Sequence, residues 1–312
     1  MKINQYASKH QGFLLGLGTY FLWGFFPLYF KGIIGLTPLE ILAHRIFWAA
    51  IILLFILTLT KRWSLVKASF QKKQIIGVLL ITTILIGINW FVFLLAVVQN
   101  EVLQSSLAYF INPIISVLLG VIFLKERLNI WQSFSVFIVS LGLMVMILHL
   151  GTVPWISLTL AFSFGIYGLL RKILQIDPIV GLSIETFLLF PFTFFYFGLI
   201  FSTHSSGFPS THILTNLLTP LSGFLTALPL VWFAMAAKQL KLSTLGFMQY
   251  ITPTMHFILA VFLFKEPFDH VQLISFIFVW IGLALFSIAS FKEYQKKHTN
   301  NSNSKSPLIC ID

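Results

Sequence analysis

Charge is scarce in this chain. Asp, Glu, Lys and Arg make up 9% of its 312 residues, against about a quarter in a soluble domain. So few ions cannot furnish a water-facing surface, and one core cannot bury an apolar share of 58% at a mean hydropathy of +0.93. A lipid bilayer is the solvent that fits. Cysteine is reduced to Cys310, which excludes a disulfide framework and a cysteine-rich metal site. There is no H-E-x-x-H, no glycine-rich phosphate loop ending in Lys-Ser/Thr and no G-x-S-x-G. The motifs of a zinc hydrolase, of direct ATP drive and of a serine hydrolase are thus missing. No enzyme activity, cofactor or metal is expected. The net charge of +11 suggests nucleic acid at first sight. In a membrane chain it is the ordinary mark of cytoplasmic loops, so no nucleic-acid partner is expected.

What is abundant is apolar sequence in runs of spanning length. Ten are marked off, at 12–30, 40–60, 75–98, 102–124, 130–150, 153–170, 179–201, 215–237, 243–264 and 270–291. Most are near the ~20 residues needed to cross a ~30 Å hydrocarbon core. The first is too long for a signal-peptide core and no small-residue cleavage site follows, so it reads as an uncleaved helix. Residues 1–11 precede it. Residues 292–312, rich in Ser, Asn and Lys, read as a disordered cytoplasmic tail. With the N-terminus inside, 17 of the 20 Lys and Arg fall on the cytoplasmic side, only Lys31 and Lys265 fall outside, and Arg45 lies within the second span. Both termini are therefore expected in the cytoplasm of a bacterial inner membrane.

The sequence also matches itself at an offset of 140 residues without a gap. Pro38 meets Pro178, Gln99 meets Gln239, Ile111 and Pro113 meet Ile251 and Pro253, Lys125 and Glu126 meet Lys265 and Glu266, and Ser135 and Gly142 meet Ser275 and Gly282. Each copy holds five spans, 12–150 and 151–291. An odd number inverts the second copy in the membrane, the arrangement in which two halves rock about a midplane site. The expected fold is an all-α integral membrane protein of ten helices, two inverted five-helix repeats around a central cavity.

Polar residues within the spans mark where a site would be. Ser105, Tyr109, Asn112 and Ser116 share one face of the fourth span, beside Pro113. Their counterparts in the ninth are Leu245, Gln249, Thr252 and His256, beside Pro253, with Tyr250 adjacent. Proline frees a backbone carbonyl that a neighbour or a cavity must satisfy. Thr159, Ser163 and Tyr167 lie on one face of the sixth span, paired with Thr19, Trp23 and Pro27 in the first. In the third, Thr82 and Asn89 are paired with Ser222 and Pro229 in the eighth, and Trp90 follows Asn89. Such residues line a cavity or form interhelical hydrogen bonds. Two ions stand within spans: Arg45, with His44 beside it, and Glu185 at the repeat position of Arg45. Arg45 could hold an anionic group and Glu185 could exchange protons, or each could serve in an ion pair. They enter from opposite sides and are not expected to meet.

The runs TPLEILAHRIFWA (37–49), GINWFVFLLAV (87–97), LAYFINPIISVLLGVIFLKERL (107–128) and STLGFMQYITPTMHFILAVFLFKEPF (243–268) resemble the RarD-type permeases of the EamA group in the drug/metabolite transporter superfamily. The resemblance runs to about Phe291 and implies two inverted five-helix halves around a cavity. The function expected is secondary transport, as permease or exporter, of a small metabolite or drug-like molecule. The partners expected are that molecule, the lipid bilayer and a possible second copy of the chain. A membrane-embedded enzyme or lipid-handling protein is the alternative.

Overall fold

In a computed structural model of the chain, residues 2–98, 102–150, 155–203, 206–263 and 269–303 are described, and among them the regular structure is entirely helical. Among the described residues eight helices are long and apolar enough to cross a membrane, and Ala108–Leu124 is a shorter apolar stretch. Leu, Ile and Phe cover their outer faces: Phe55, Ile84, Ile122, Phe195 and Leu217 are all more than half exposed, while Glu40, Arg45, Arg171 and Glu185 are buried. That inversion of the water-soluble pattern is what lipid demands, since each polar group must find its partner inside the protein.

The chain divides into two compact units. The first contains residues 1–126 and 153–267, the second 127–152 and 268–312. In the first unit, α1 (Lys2–Gly24) breaks before α2 (Phe26–Lys31). Pro27 has no N–H for the Trp23 carbonyl, and His256 Nε2 donates to that carbonyl instead at 3.2 Å. Helix α3 (Pro38–Leu59) starts on Thr37, whose hydroxyl accepts from the Glu40 N–H, with Pro38 in the first turn. It ends at Lys61 in the left-handed region, φ 53°, with Arg62 N–H on the Leu57 carbonyl. This turn leads into a short helix that the apolar pattern does not announce, α4 (Trp63–Phe70), anchored by buried Val66 against Leu57, Leu79 and Ile184. Helices α5 (Lys73–Val98) and α6 (Val102–Leu124) follow. Pro113 lies inside α6, which closes through Lys125 at φ 52° and the Glu126 N–H on the Gly120 carbonyl.

After residues 127–152, which belong to the second unit, the chain continues with α8 (Trp155–Ile173), α9 (Pro178–Ser202) and α10 (Ile213–Gln239). Asp177 caps α9 as Thr37 caps α3, 140 residues apart, each followed by proline. The ninth expected span is not one helix. It is α11 (Leu242–Met248), α12 (Ile251–Ile258) and a π-helical turn over Leu259–Leu263. Pro253 cannot bond the Gln249 carbonyl in helical register; the Thr252 N–H takes it at 3.0 Å, and Gln249 and Tyr250 bond three residues back. The Lys265–Glu266 match lies outside the described residues.

The second unit pairs α7 (Ile130–Leu150) with α13 (His270–Asn303). Asn129 and Gln132 cap α7 reciprocally, each side chain accepting from the other's backbone N–H. Gly142 lies against the Ser275 carbonyl and Gly282 against the Ser135 carbonyl, where an added Cβ would stand 3.0 Å from either oxygen. Small residues at such a crossing let two membrane helices approach closely. Helix α13 continues to Asn303, so the segment from Lys292, expected to be disordered, begins as helix. Residues 304–312 lie outside the described part.

Candidate functional site

Within the first unit a cavity of ≈ 70 Å³ opens among α1, α2, α3, α5, α6, α8, α10 and α11, with room for roughly five waters. Its polar lining comes from Arg45, Asn89, Asn112, Thr226 and Gln249, and its aromatic wall from Trp23, Phe26, Trp90, Phe93, Tyr109 and Phe164. Ala108, Leu160 and Leu230 fill the gaps.

Among the described residues Arg45 is the one charged member of the lining, and it is 4% exposed. Its Nε donates to Thr226 Oγ1 at 3.1 Å, and its guanidinium carbon lies 5.4 Å from the centre of the Phe30 ring and 5.2 Å from that of Trp90. No carboxylate pairs with it among the described residues. Asn89 donates through Nδ2 to the Leu160 carbonyl and to Ser163 Oγ, both at 2.9 Å, which sets its amide across the α5–α8 seam. Asn112 Nδ2 donates to the Ala161 carbonyl at 3.2 Å, and its Oδ1 accepts from Ser116 Oγ. The Gln249 side chain is 3% exposed and has no hydrogen-bond partner among the described residues.

Six of the thirteen residues expected at the site thus meet in one space: Arg45, Asn89, Trp90, Tyr109, Asn112 and Gln249. The other seven lie off the lining, each for a local reason. His44 points away from Arg45, between the Phe197 and Phe208 rings. Ser116 lies one turn along α6 from Asn112 and supports it. The break before α12 turns its polar residues from the cavity onto neighbouring backbone. Tyr250 donates to the Phe110 carbonyl, Thr252 to the Tyr20 carbonyl and His256 to the Trp23 carbonyl, while the His256 ring stands edge-on to Tyr109 at 5.1 Å. Asn112 and Thr252 are both buried, so neither faces lipid.

Glu185 lies elsewhere, behind an aromatic layer. The cavity-lining rings of Trp23 and Phe164 pack on Phe233, which stacks on Tyr167. Beyond them the Glu185 carboxylate accepts from Thr82 Oγ1 at 2.6 Å and Tyr167 OH at 3.2 Å, and pairs with Arg171 at 3.5 Å. Both ions are 1% exposed. Tyr167 and Glu185 therefore belong to a buried ion-pair network. A carboxylate in lipid-spanning helices needs such partners, and the span pattern does not reveal that the last turn of α8 brings Arg171 to it.

Sequence reasoning missed Thr226 and the three phenylalanines of the aromatic wall, Phe26, Phe93 and Phe164. Thr226 follows Ser222 by four and precedes Pro229 by three, so the face of α10 that carries both also carries it. The Phe residues carry no comparable signal in a chain with 35 of them.

Residues 10–148 match the EamA-like transporter family. An uncharacterized transporter of Vibrio cholerae is 40% identical over 282 residues, spanning 90% of this chain and 93% of that one. Protein RarD of Escherichia coli is 40% identical over 279 residues, 89% and 94% of the two chains. A solved structure superposes with a TM-score of 0.68 over 89% of this chain and 97% of its own, at 14% identity, which speaks to the fold. Apolar helices that bury their ions, together with identity over nearly the full length of these relatives, make this chain a multi-pass inner-membrane protein of the EamA-like transporter family, among its RarD-type permeases.

Proposed function

We propose that the chain is a secondary permease or exporter of a small metabolite or drug-like molecule. It works by alternating access between two inverted halves, 12–150 and 151–291, with both termini in the cytoplasm. The observation that carries this reading is a cavity lined from both halves and holding a buried ion, in a protein whose relatives are named as transporters. A buried polar site within spanning helices is costly unless something binds or passes there.

The pattern of helix contacts supports the inverted repeat. Exchanging α1 with α8, α3 with α9, α5 with α10 and α6 with α11–α12 turns the pair α1–α10 into α8–α5, α3–α10 into α9–α5, and α6–α8 into α12–α1; all six occur. Repeat-related residues also meet each other: Tyr250 bonds Phe110, and Gly142 with Ser275 mirrors Gly282 with Ser135. Such pairs run antiparallel, as a two-fold axis in the membrane plane requires.

With the N-terminus inside, the cavity residues of α3, α5, α6 and α8 lie in the outer halves of their helices, and the inner end is tied shut. The Glu126 carboxylate accepts from the Leu242 N–H at 2.7 Å, the Ser243 N–H at 3.0 Å and Ser243 Oγ at 2.7 Å. Lys172 Nζ donates to the Ala237 and Leu240 carbonyls. Opening inward requires these bonds to break. The test is a stabilisation screen of metabolites and drug-like molecules on purified protein, each hit then assayed for flux in proteoliposomes. We expect a hit whose flux is lost when Ala108→Trp fills the cavity. Hits that stabilise the protein yet never cross would reject a permease.

A further inference from the structure

We infer that the ligand of the cavity is a small, flat, apolar monocarboxylate, gripped by Arg45 and enclosed by aromatic rings. The inference deepens the permease reading and rests on it only for the claim that the ligand crosses the membrane.

Charge decides the sign. Arg45 is buried within a spanning helix, and among the described residues the cavity lining contains no Asp or Glu to balance it. An ion with no carboxylate partner among the described residues is costly in such a place, so the occupant is the natural counter-ion. Charge also sets the size of the anion. With one cation among the described lining residues, a monoanion is neutralised, whereas a phosphate dianion or a dicarboxylate would carry an unmatched charge inward. A zwitterion would bring an ammonium that no carboxylate of the described lining receives.

Geometry selects a carboxylate. Thr226 occupies Nε, and Phe30 and Trp90 lie against the guanidinium. Among the described residues nothing occupies the edge formed by the two terminal nitrogens, which matches the two oxygens of a carboxylate. The Gln249 amide, without a partner among the described residues, offers one further polar contact. The remaining wall is apolar and largely aromatic, from Trp23, Phe26, Phe93 and Phe164. Flat rings pack on such walls with little loss of freedom. Space for roughly five waters is about the bulk of a single-ring molecule.

Benzoate, benzamide and benzamidinium have nearly one shape and carry charges of −1, 0 and +1; acetate has the charge without the ring. Each is titrated against the purified full-length protein, with thermal stabilisation and quenching of tryptophan fluorescence as readouts. Benzoate should stabilise saturably and the other three at least about tenfold more weakly. Arg45→Lys, which keeps the charge and loses the forked edge, should weaken benzoate by about tenfold, and Arg45→Gln should abolish its effect. Benzamide binding as well as benzoate, benzamidinium binding better, acetate or chloride matching benzoate, or no saturable benzoate response would each overturn the inference. Those comparisons are made on the unaltered protein, so a misfolded variant does not blunt them. Benzoate bound at Arg45 without protein-dependent exchange of labelled benzoate in proteoliposomes at alkaline pH would leave the ligand class standing and overturn the permease reading. Exchange of benzamide or benzamidinium in place of benzoate would do the reverse.

Discussion

Arg171 and Glu185 illustrate how a lipid-embedded residue is judged by its partners. Each is 1% exposed and each is the other's counter-ion, with Thr82 and Tyr167 completing the carboxylate's shell. Removing one member leaves a buried charge, so Glu185→Gln or Arg171→Met should lower stability by about 3–5 kcal/mol, and the double change to Met at both positions should recover much of it. Thermal unfolding of the singles and the double in detergent measures this. Equal and additive losses would show that the pair is not coupled. Asn112 and Gln249 make a second contrast. Asn112 is bonded at both ends of its amide, to Ala161 and Ser116, so Asn112→Ala should cost about 1–3 kcal/mol of stability. Gln249 bonds no side chain or backbone through its amide among the described residues, so Gln249→Leu should leave the melting temperature nearly unchanged while weakening ligand binding. A large drop in melting temperature for Gln249→Leu would place its amide in the structure rather than at the site. The sequence pointed to Glu185, Asn112 and Gln249, because a polar group in an apolar run stands out, whereas Arg171 counted only as a loop cation just past the sixth span. It did not separate those that bind protein from those that face the cavity, since the partners Ala161, Thr82 and Arg171 lie on other helices.

At the scale of elements, the pair formed by α6 and α11–α12 is the most specific. Gly246 sits against the Pro113 carbonyl, where a Cβ would stand 2.8 Å from the oxygen, and against Ser116. Gly246→Leu should force α11 away from α6 and destabilise the protein by about 1–3 kcal/mol, an overpacking cost; unchanged unfolding would contradict this close crossing. The end of the same pair is held by Glu126 on the first N–H groups of α11. Glu126→Ala removes those acceptors, and in the alternating-access reading it should favour the inward-open form. That form is detected as faster labelling from the cytoplasmic side of a cysteine placed at Leu230, with Cys310→Ser to silence the background. Labelling no faster than in the parent would exclude a latch. Helix positions were legible because twenty-residue apolar runs have few alternatives in a membrane protein. Two features were not. Helix α4 is short and half-polar, and only its packing through Val66 makes it a helix. Pro113 and Pro253 look alike in sequence, yet α6 runs through the first while the second span breaks just before the other. Contacts made by Tyr250, Thr252 and His256 to backbone on α1 and α6 hold the broken form.

For the whole molecule, the repeat at 140 residues links fold to function. Residues n and n + 140 meet across antiparallel crossings at Phe110 with Tyr250, and Gly142 and Gly282 make the same contact in each direction. This pairing was half visible in the sequence: the offset could be counted, but not which helices would face each other. The orientation rests on the placement of Lys and Arg. Reporter fusions after Asn303 and in the loop containing Ser210 should read cytoplasmic and periplasmic respectively, and a periplasmic C-terminus would break both the topology and the inversion. The central claim is that one cavity is reached in turn from the two faces of the membrane. Ala108 lines that cavity. A cysteine at this position, with Cys310→Ser, should react with a membrane-impermeant maleimide added to right-side-out vesicles and, separately, to inside-out vesicles, and a saturating cavity ligand should slow both reactions. Reaction from one face alone under every condition, or from neither, would contradict the account.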